Sequence, residues 1–399
     1  MVVDVGIKKS QILRMLFKSR KGLSQIKKYN KKAKEFWKIK EDEMTNEISN
    51  LINSSSDQKL STMSRNYAKK IGFEQIICNE DEIDEFRRIL RHFGEDIVIK
   101  DFVRYGTRTG FLTVVIAPAL AAAEGIGDID EKVINEWLYG VGICLPVSAD
   151  ITDSVLDKEV LKHPLIPFKT WIIAHKLGAA IIFYIGLKHL ENIKTGNEPI
   201  DKRIIKRLAE GLENVCHKQR MDYEAQSSPK TSLRLIEKIY DGKICEIEGT
   251  VFGTLPSEKL DIIKIFEQGA RALAGELQVV DDIEDLLGDS NLGKEPSVPN
   301  PSFFLTYSID IWNKGERDIK KIMEEAIKRT LDRGEKYHEK VVGAFDKLPK
   351  NFSTRPFFEL TLWYYNRVLK DIGKQFLKGD TYPDVIPKLR KMLKLSGAE

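Results

Sequence analysis

The sequence predicts an all-α protein, an antiparallel helical bundle, and three observations carry that expectation. From residue 80 onward, apolar residues recur at helical spacing in segment after segment, and the alternation expected of strands is nearly absent. Glycine and proline punctuate the joints, at Pro164, Pro167, Gly196, Pro229, Pro256, Pro299 and Pro301. No short-period repeat appears, so the helices are expected to pack around a shared centre rather than stack as a solenoid.

Taken in order, residues 1–80 read as a basic helical extension and residues 81–399 as the bundle. In the extension, residues 8–40 place Ile12, Met15, Leu16, Phe36 and Trp37 at helical spacing against a lysine-rich face, and Ser54 to Asp57 reads as a hinge. Residues 81–93 are charged and amphipathic, and 103–124 are apolar, closed by Gly125 and Gly127. Residues 130–157 open on a cap-like Asp130-Glu131 pair and run through Trp137 and Tyr139. Helices are predicted next over 170–192, 201–224, 231–254 and 257–287, then over 301–313, 316–348, 355–377 and 382–395.

The 399 residues are enough for one large core or two modest ones. Net charge is only +4, but residues 1–40 hold 13 Lys/Arg against 2 acids. A basic arm on a mildly acidic body reads either as a solvated helix or as peripheral contact with an anionic membrane surface; no nucleic-acid partner is expected. The four cysteines lack C-x-x-C spacing and read as reduced, buried residues. The first residues show no signal-peptide pattern, and the apolar run from Phe111 to Ala123 is too short to span a bilayer, so a cytoplasmic location is expected.

The chemistry concentrates between Gly275 and Lys294. Asp281, Asp282 and Asp285 sit in an otherwise apolar segment, and Asp281 and Asp285, four residues apart, lie one above the other on a helix. Stacked like charges are tolerated when a hard cation sits between them, and oxygen-only ligands suit Mg²⁺. Gln278 and Ala274 extend the same face, Gly288 ends the helix, and Lys294 follows as a loop lysine within reach of a phosphate. A second acidic set, Asp150, Asp153 and Asp157, falls at i, i+3 and i+7, with Pro146, Ile143 and Tyr139 forming an apolar column above it. A charged rim over an apolar shaft suits a ligand with a diphosphate head and a hydrocarbon tail.

The first stretch resembles the second aspartate-rich motif of the trans-polyprenyl diphosphate synthases, F-Q-x-x-D-D-x-x-D with a downstream G-K; Leu277 replaces the phenylalanine. The second resembles the family's D-D-x-x-D motif with Ala149 in place of its first aspartate. Weaker matches follow in family order: Gly106 and Arg108 for G-G-K-R-x-R, Lys243 for the K-T lysine, Leu348-Pro349 for L-P, and W-Y-Y-N-R near the C-terminus. Together they span residues 85 to 377. The resemblance implies a class I isoprenoid synthase helical bundle, a homodimer, and a site in which an allylic prenyl diphosphate is held with Mg²⁺, three ions in all. It implies metal ligation by Asp150, Asp153, Asp157, Asp281, Asp282 and Asp285, with Asp150, Asp153, Asp281 and Asp285 as the catalytic set. Arg108, Lys158, Lys243, Gln278 and Lys294 are the implied substrate contacts. The positions that limit chain length in the family fall on Cys144 and Leu145, neither of them aromatic, which implies a deep pocket.

The departures are lopsided. The family grips its second substrate, isopentenyl diphosphate, without metal, using cations at positions occupied here by Thr107, Arg108 and Glu159. Each charge-assisted phosphate contact contributes roughly 1.5–3 kcal/mol, so losing two and adding a repulsion should cripple that pocket. The first expectation is therefore a terpene-synthase-like enzyme that ionises an allylic diphosphate alone. The alternatives are a chain-elongating farnesyl- or geranylgeranyl-type synthase, with Arg87, Arg88, Arg91 and His92 as replacement cations, or a non-catalytic regulatory subunit of one. His217 and Gln219 read as parts of a capped helix end, and His175 and Lys176 as a wet face.

Overall fold

Among the described residues every regular element is helical. The computed structural model describes residues 20–106, 115–156, 160, 162–226, 233–240, 244–288, 296, 298, 302–349, 352, 354, 356–357, 368, 372 and 383–395. The first long helix, α1 (Arg20–Ser54), ends where Ser55 and Ser56 break the apolar spacing. Ser56 then caps α2 (Asp57–Ile71) by accepting the Lys59 N–H at 3.2 Å, and Gly72, at φ 84°, stops it. Asn79 and Glu82 form a reciprocal capping box that starts α3 (Glu80–Phe93). Beyond Gly94 runs α4 (Glu95–Gly106), and Pro118 sits in the first turn of α5 (Ala117–Ile126). Asp130 caps α6 (Glu131–Trp137), which widens into a π-helical turn over Leu138–Cys144 and tightens again as α7 (Leu145–Leu156).

The second half continues with α8 (Phe168–Glu191), α9 (Glu198–Gln226), α10 (Leu233–Tyr240), α11 (Ile244–Gly253) and α12 (Leu260–Leu287). Ser302 caps α13 (Phe303–Asn313) and Asp318 caps α14 (Ile319–Phe345), and α15 (Val385–Leu395) follows.

The most apolar long helix, α8, lies at the centre. It is long and apolar enough to cross a membrane, but most of its apolar stretch is buried among α2, α3, α7 and the π turn, as expected of a core helix hydrophobic all round. The main core runs from Tyr29, Ala33 and Trp37 of α1, through Leu60 and Tyr67 of α2 and the length of α8, to Phe266 and Leu273 of α12. A second cluster joins the end of α12 to α13, α14 and α15.

Several sequence expectations change here. Residues 24–71 lend their apolar face to the main core, so Trp37 is 8 % exposed and is not available to a lipid surface. Residues 231–254 contain two helices, and α4 was not foreseen. His175, read as part of a wet face, is fully buried between Phe102 and Trp171 and donates from Nδ1 to the Trp171 carbonyl at 2.7 Å. Burial pulls its pKa down to about 4, so the ring is neutral.

Candidate active site

The C-terminal turns of α12 sort three neighbouring acids by exposure. Asp281 is exposed, Asp285 half-buried and Asp282 2 % exposed. Helix geometry requires this split, because residue 282 points 100° away from 281 and toward α13. There Asp282 Oδ2 accepts the Phe303 N–H at 3.1 Å and Oδ1 accepts Gln278 Nε2 at 3.2 Å. Asp282 thus holds down the first turn of α13 beside the Ser302 cap, and Gln278, expected to meet substrate, is tied to its own helix. Gly288, at φ 71°, ends α12 with its N–H on the Glu284 carbonyl, as the sequence predicts.

On α7, Asp150 is exposed and Asp153 half-buried. Asp153 Oδ1 accepts Gln219 Nε2 of α9 at 2.6 Å. Sequence reasoning assigned Gln219 to a helix end and missed this contact; the only signal was a polar residue at helical spacing from Asp222, itself buried. One turn along, the buried Tyr67 hydroxyl lies 2.9 Å from Ser148 Oγ and 2.7 Å from Thr152 Oγ1. Ser148 in turn donates to the Ala179 carbonyl at 2.8 Å, so α7 is pinned to both α2 and α8.

Cys144 and Leu145 close the π turn. A Cβ built on Gly186 of α8 would lie 2.9 Å from Cys144 Cβ and 3.3 Å from Leu145 Cδ2. The two side chains expected at the pocket floor are therefore packed against the α8 backbone. The wider turn also re-phases the apolar column of Tyr139, Ile143 and Pro146 relative to the acids of α7.

An ionic clamp binds α9, α11 and α12. Glu246 of α11, 2 % exposed, pairs with Arg207 of α9 at 2.6 Å and with Arg271 of α12. Glu267 of α12 bridges the same two arginines at 2.9 and 3.0 Å. Two carboxylates against two guanidiniums leave the buried group neutral, the condition under which such burial is tolerated. Through Gln219–Asp153 and this clamp, the described contacts run from α7 through α9 and α11 to α12, so both acidic helices belong to one framework. Asp157, Lys158, Lys243, Lys294 and Arg108, like Thr107 and Glu159, lie outside the described residues.

No protein-family profile matches the chain, and no curated protein matches it by sequence. Solved structures do match by shape. A geranylgeranyl pyrophosphate synthetase from Pyrococcus horikoshii Ot3 superposes with TM-score 0.56 at 12% identity, covering 78% of this chain and 100% of its own. A polyprenyl synthase from Caulobacter crescentus CB15, complexed with calcium and isoprenyl diphosphate, gives 0.55 at 14% identity over 72% of this chain and 95% of its own. The chain has the polyprenyl diphosphate synthase fold.

Within that isoprenoid synthase fold the acid sets fit a hard divalent cation. Asp281 and Asp285 share one accessible face at i, i+4, and Asp150 and Asp153 offer carboxylates from α7, so the donor set is oxygen throughout. Among the described residues, the group whose ligand atoms lie within 4.8 Å of one another is Glu43, Glu47 and His189, not the aspartates of α7 and α12. It is already neutralised: Lys40 pairs with Glu43 at 2.6 Å, Lys188 with Glu47 at 3.2 Å, and His189 lies between Glu47 (3.3 Å) and Glu136 (2.8 Å). Three carboxylates, two lysines and a histidine tie α1 to α6 and α8. Two of the four expected replacement cations are engaged as well, Arg87 with Asp57 at 2.6 Å and Arg88 with Asp84 at 3.2 Å.

Proposed function

We propose that the protein is a Mg²⁺-dependent isoprenoid synthase that ionises an allylic prenyl diphosphate without isopentenyl diphosphate, as a terpene synthase does. The carrying observation is an asymmetry. Aspartates matching the family's acidic motifs persist, with Asp281 exposed above an anchored Asp282, while Thr107 and Glu159 fall where the resemblance expects the cations of a metal-free diphosphate pocket. Two of the four candidate substitutes, Arg87 and Arg88, are held by Asp57 and Asp84.

In this reading the substrate's C–O bond breaks, the diphosphate departs with the electron pair, and an allylic cation remains in a dry, apolar interior. Mg²⁺ bound by Asp281 and Asp285 on α12, and by Asp150 and Asp153 on α7, supplies electrostatic stabilisation of the leaving oxygens. The protein's own part is positional. Gln219 orients Asp153, Asp282 fixes the α12–α13 corner, and the closely packed α2–α7–α8 interface keeps water away from the cation.

Chain elongation is the second reading, favoured by the solved structures of this fold, which are described as geranylgeranyl and polyprenyl synthases. A homodimer and contact of the basic α1 face with anionic lipid complete the proposal. The deciding experiment incubates the protein with Mg²⁺ and farnesyl diphosphate, with and without isopentenyl diphosphate. Diphosphate release with a hydrocarbon or alcohol product from the allylic substrate alone supports the proposal. A product one isoprene unit longer, formed only with both substrates, replaces it with elongation. Binding without release in either mixture leaves a non-catalytic subunit.

A further inference from the structure

Two glutamates on α11 meet opposite fates. Glu246 faces α9 and α12 and is neutralised by Arg207 and Arg271. Glu248, two residues on, lies on the far side of the helix, with Val251 and Phe252 one turn away on the same face, both buried in the main core. Its Oε2 is buried and has no hydrogen-bond partner. Burial pushes the carboxyl up to about 7. As a residue Glu248 nonetheless keeps intermediate exposure. The buried Oε2 and the residue's intermediate exposure place Glu248 at the edge of the core rather than fully inside it.

Its level relative to Asp281 follows from helix register. Gly249 of α11 sits against Arg271 of α12, and Gly253 against Glu267, so the two helices run antiparallel and Glu248 lies level with residue 272. Asp281 is nine residues further along α12, a rise of about 14 Å. That separation is comparable to an extended farnesyl tail, so a diphosphate held at Asp281 would bring the far end of its tail to Glu248. A buried carboxylate oxygen without a partner costs stability, and none of the described residues supplies one to Oε2.

We infer that Glu248 is the proton acceptor that ends the carbocation reaction at the remote end of the prenyl tail, an inference that rests on the allylic-ionisation reading above. The allylic cation attacks the distal double bond of its own tail, forming a C–C bond, closing a ring and moving the positive charge to the far end. The Glu248 carboxylate then takes a proton from the carbon beside that charge. The C–H pair becomes a new double bond, an O–H bond forms on Glu248, and the proton passes to water as the cyclic hydrocarbon leaves. The released diphosphate, about 14 Å away, is out of reach for this step.

The test compares the parent with Glu248→Gln on farnesyl diphosphate and Mg²⁺, scoring products in an organic extract per diphosphate released. The cyclic-hydrocarbon-to-alcohol ratio should fall at least about ten-fold, as water captures a cation that has lost its base. An unchanged ratio overturns the inference while leaving allylic ionisation intact. A parent that releases diphosphate only with isopentenyl diphosphate overturns both. Glu248→Leu supplies a readout independent of turnover: removing an unpaired buried carboxylate should raise the melting temperature at pH 8. A lower value, or failure of the isosteric Gln variant to fold, shows a structural carboxyl and also overturns it.

Discussion

Asp281 and Asp282 are adjacent in sequence and do different work, and substitution should separate them. Asp281 is exposed and is a metal ligand in the proposed function, so Asp281→Asn should fold normally and lose diphosphate release by about two orders of magnitude or more. Near-parent turnover in that variant would sink the metal-site assignment. Asp282 accepts the Phe303 N–H and the Gln278 amide in a buried corner. Asp282→Ala should therefore lower stability by about 1–2 kcal/mol, read as a reduced urea midpoint. A midpoint equal to the parent's would show that the α13 cap is carried by Ser302 alone. The motif spacing in the sequence marks both residues equally, because periodicity assigns a face but does not reveal which neighbour a helix meets there. Gln219 was illegible for the same reason: its partner, Asp153, is 66 positions away.

At the scale of elements, the π turn before α7 has a consequence for engineering. Cys144 lies against Gly186 at a crossing where even an added Cβ would come within 2.9 Å. Cys144→Phe is thus expected to destabilise the fold by roughly 1–3 kcal/mol through overpacking, and chemical denaturation would report it. A stable Phe variant with a shortened substrate preference would instead place residue 144 on the pocket wall. Most long helices were legible in sequence because glycine and proline bound them; α8 and α12 are each found within three residues of their expected limits. The π turn was not, since Leu138–Cys144 is apolar throughout and carries no breaker beyond its two glycines.

The His189 tie between α1 and α8 should be pH-sensitive. Burial disfavours the imidazolium, but hydrogen bonds to Glu47 and Glu136 outweigh it and raise the pKa above its ordinary 6.5. A raised histidine contributes fully below the unfolded value and loses its contribution as pH climbs through the folded one. The melting temperature of the parent should therefore fall between pH 6.5 and the alkaline side of neutrality more steeply than that of His189→Gln. Parallel curves would show that the site does not titrate in this range.

For the molecule as a whole, the question is what the basic arm does, and burial decides it. Exposed ion pairs such as Lys28 and Lys32 with Glu124, at 2.9 and 2.6 Å, contribute about 0–1 kcal/mol each and are screened by salt. Burial of Tyr29 and Trp37 contributes about 1.5–3 kcal/mol for each large side chain. Deleting residues 1–40 should therefore unfold or aggregate the bundle, and the effect should persist in high salt, where a purely ionic attachment would already be lost. The outer face behaves differently. Lys27, Lys31, Lys34 and Lys38 are exposed and Ile39 is 68% exposed, a cationic strip that can meet anionic lipid without disturbing the core. Changing those four lysines to Gln should leave the melting temperature within about 0.5 kcal/mol-equivalent of the parent, since none of them is buried. Binding to anionic vesicles at low salt should fall steeply, because each lysine near such a surface contributes about 1 kcal/mol. Equal vesicle binding by the two proteins would reject the membrane role and leave α1 as a structural helix of the bundle.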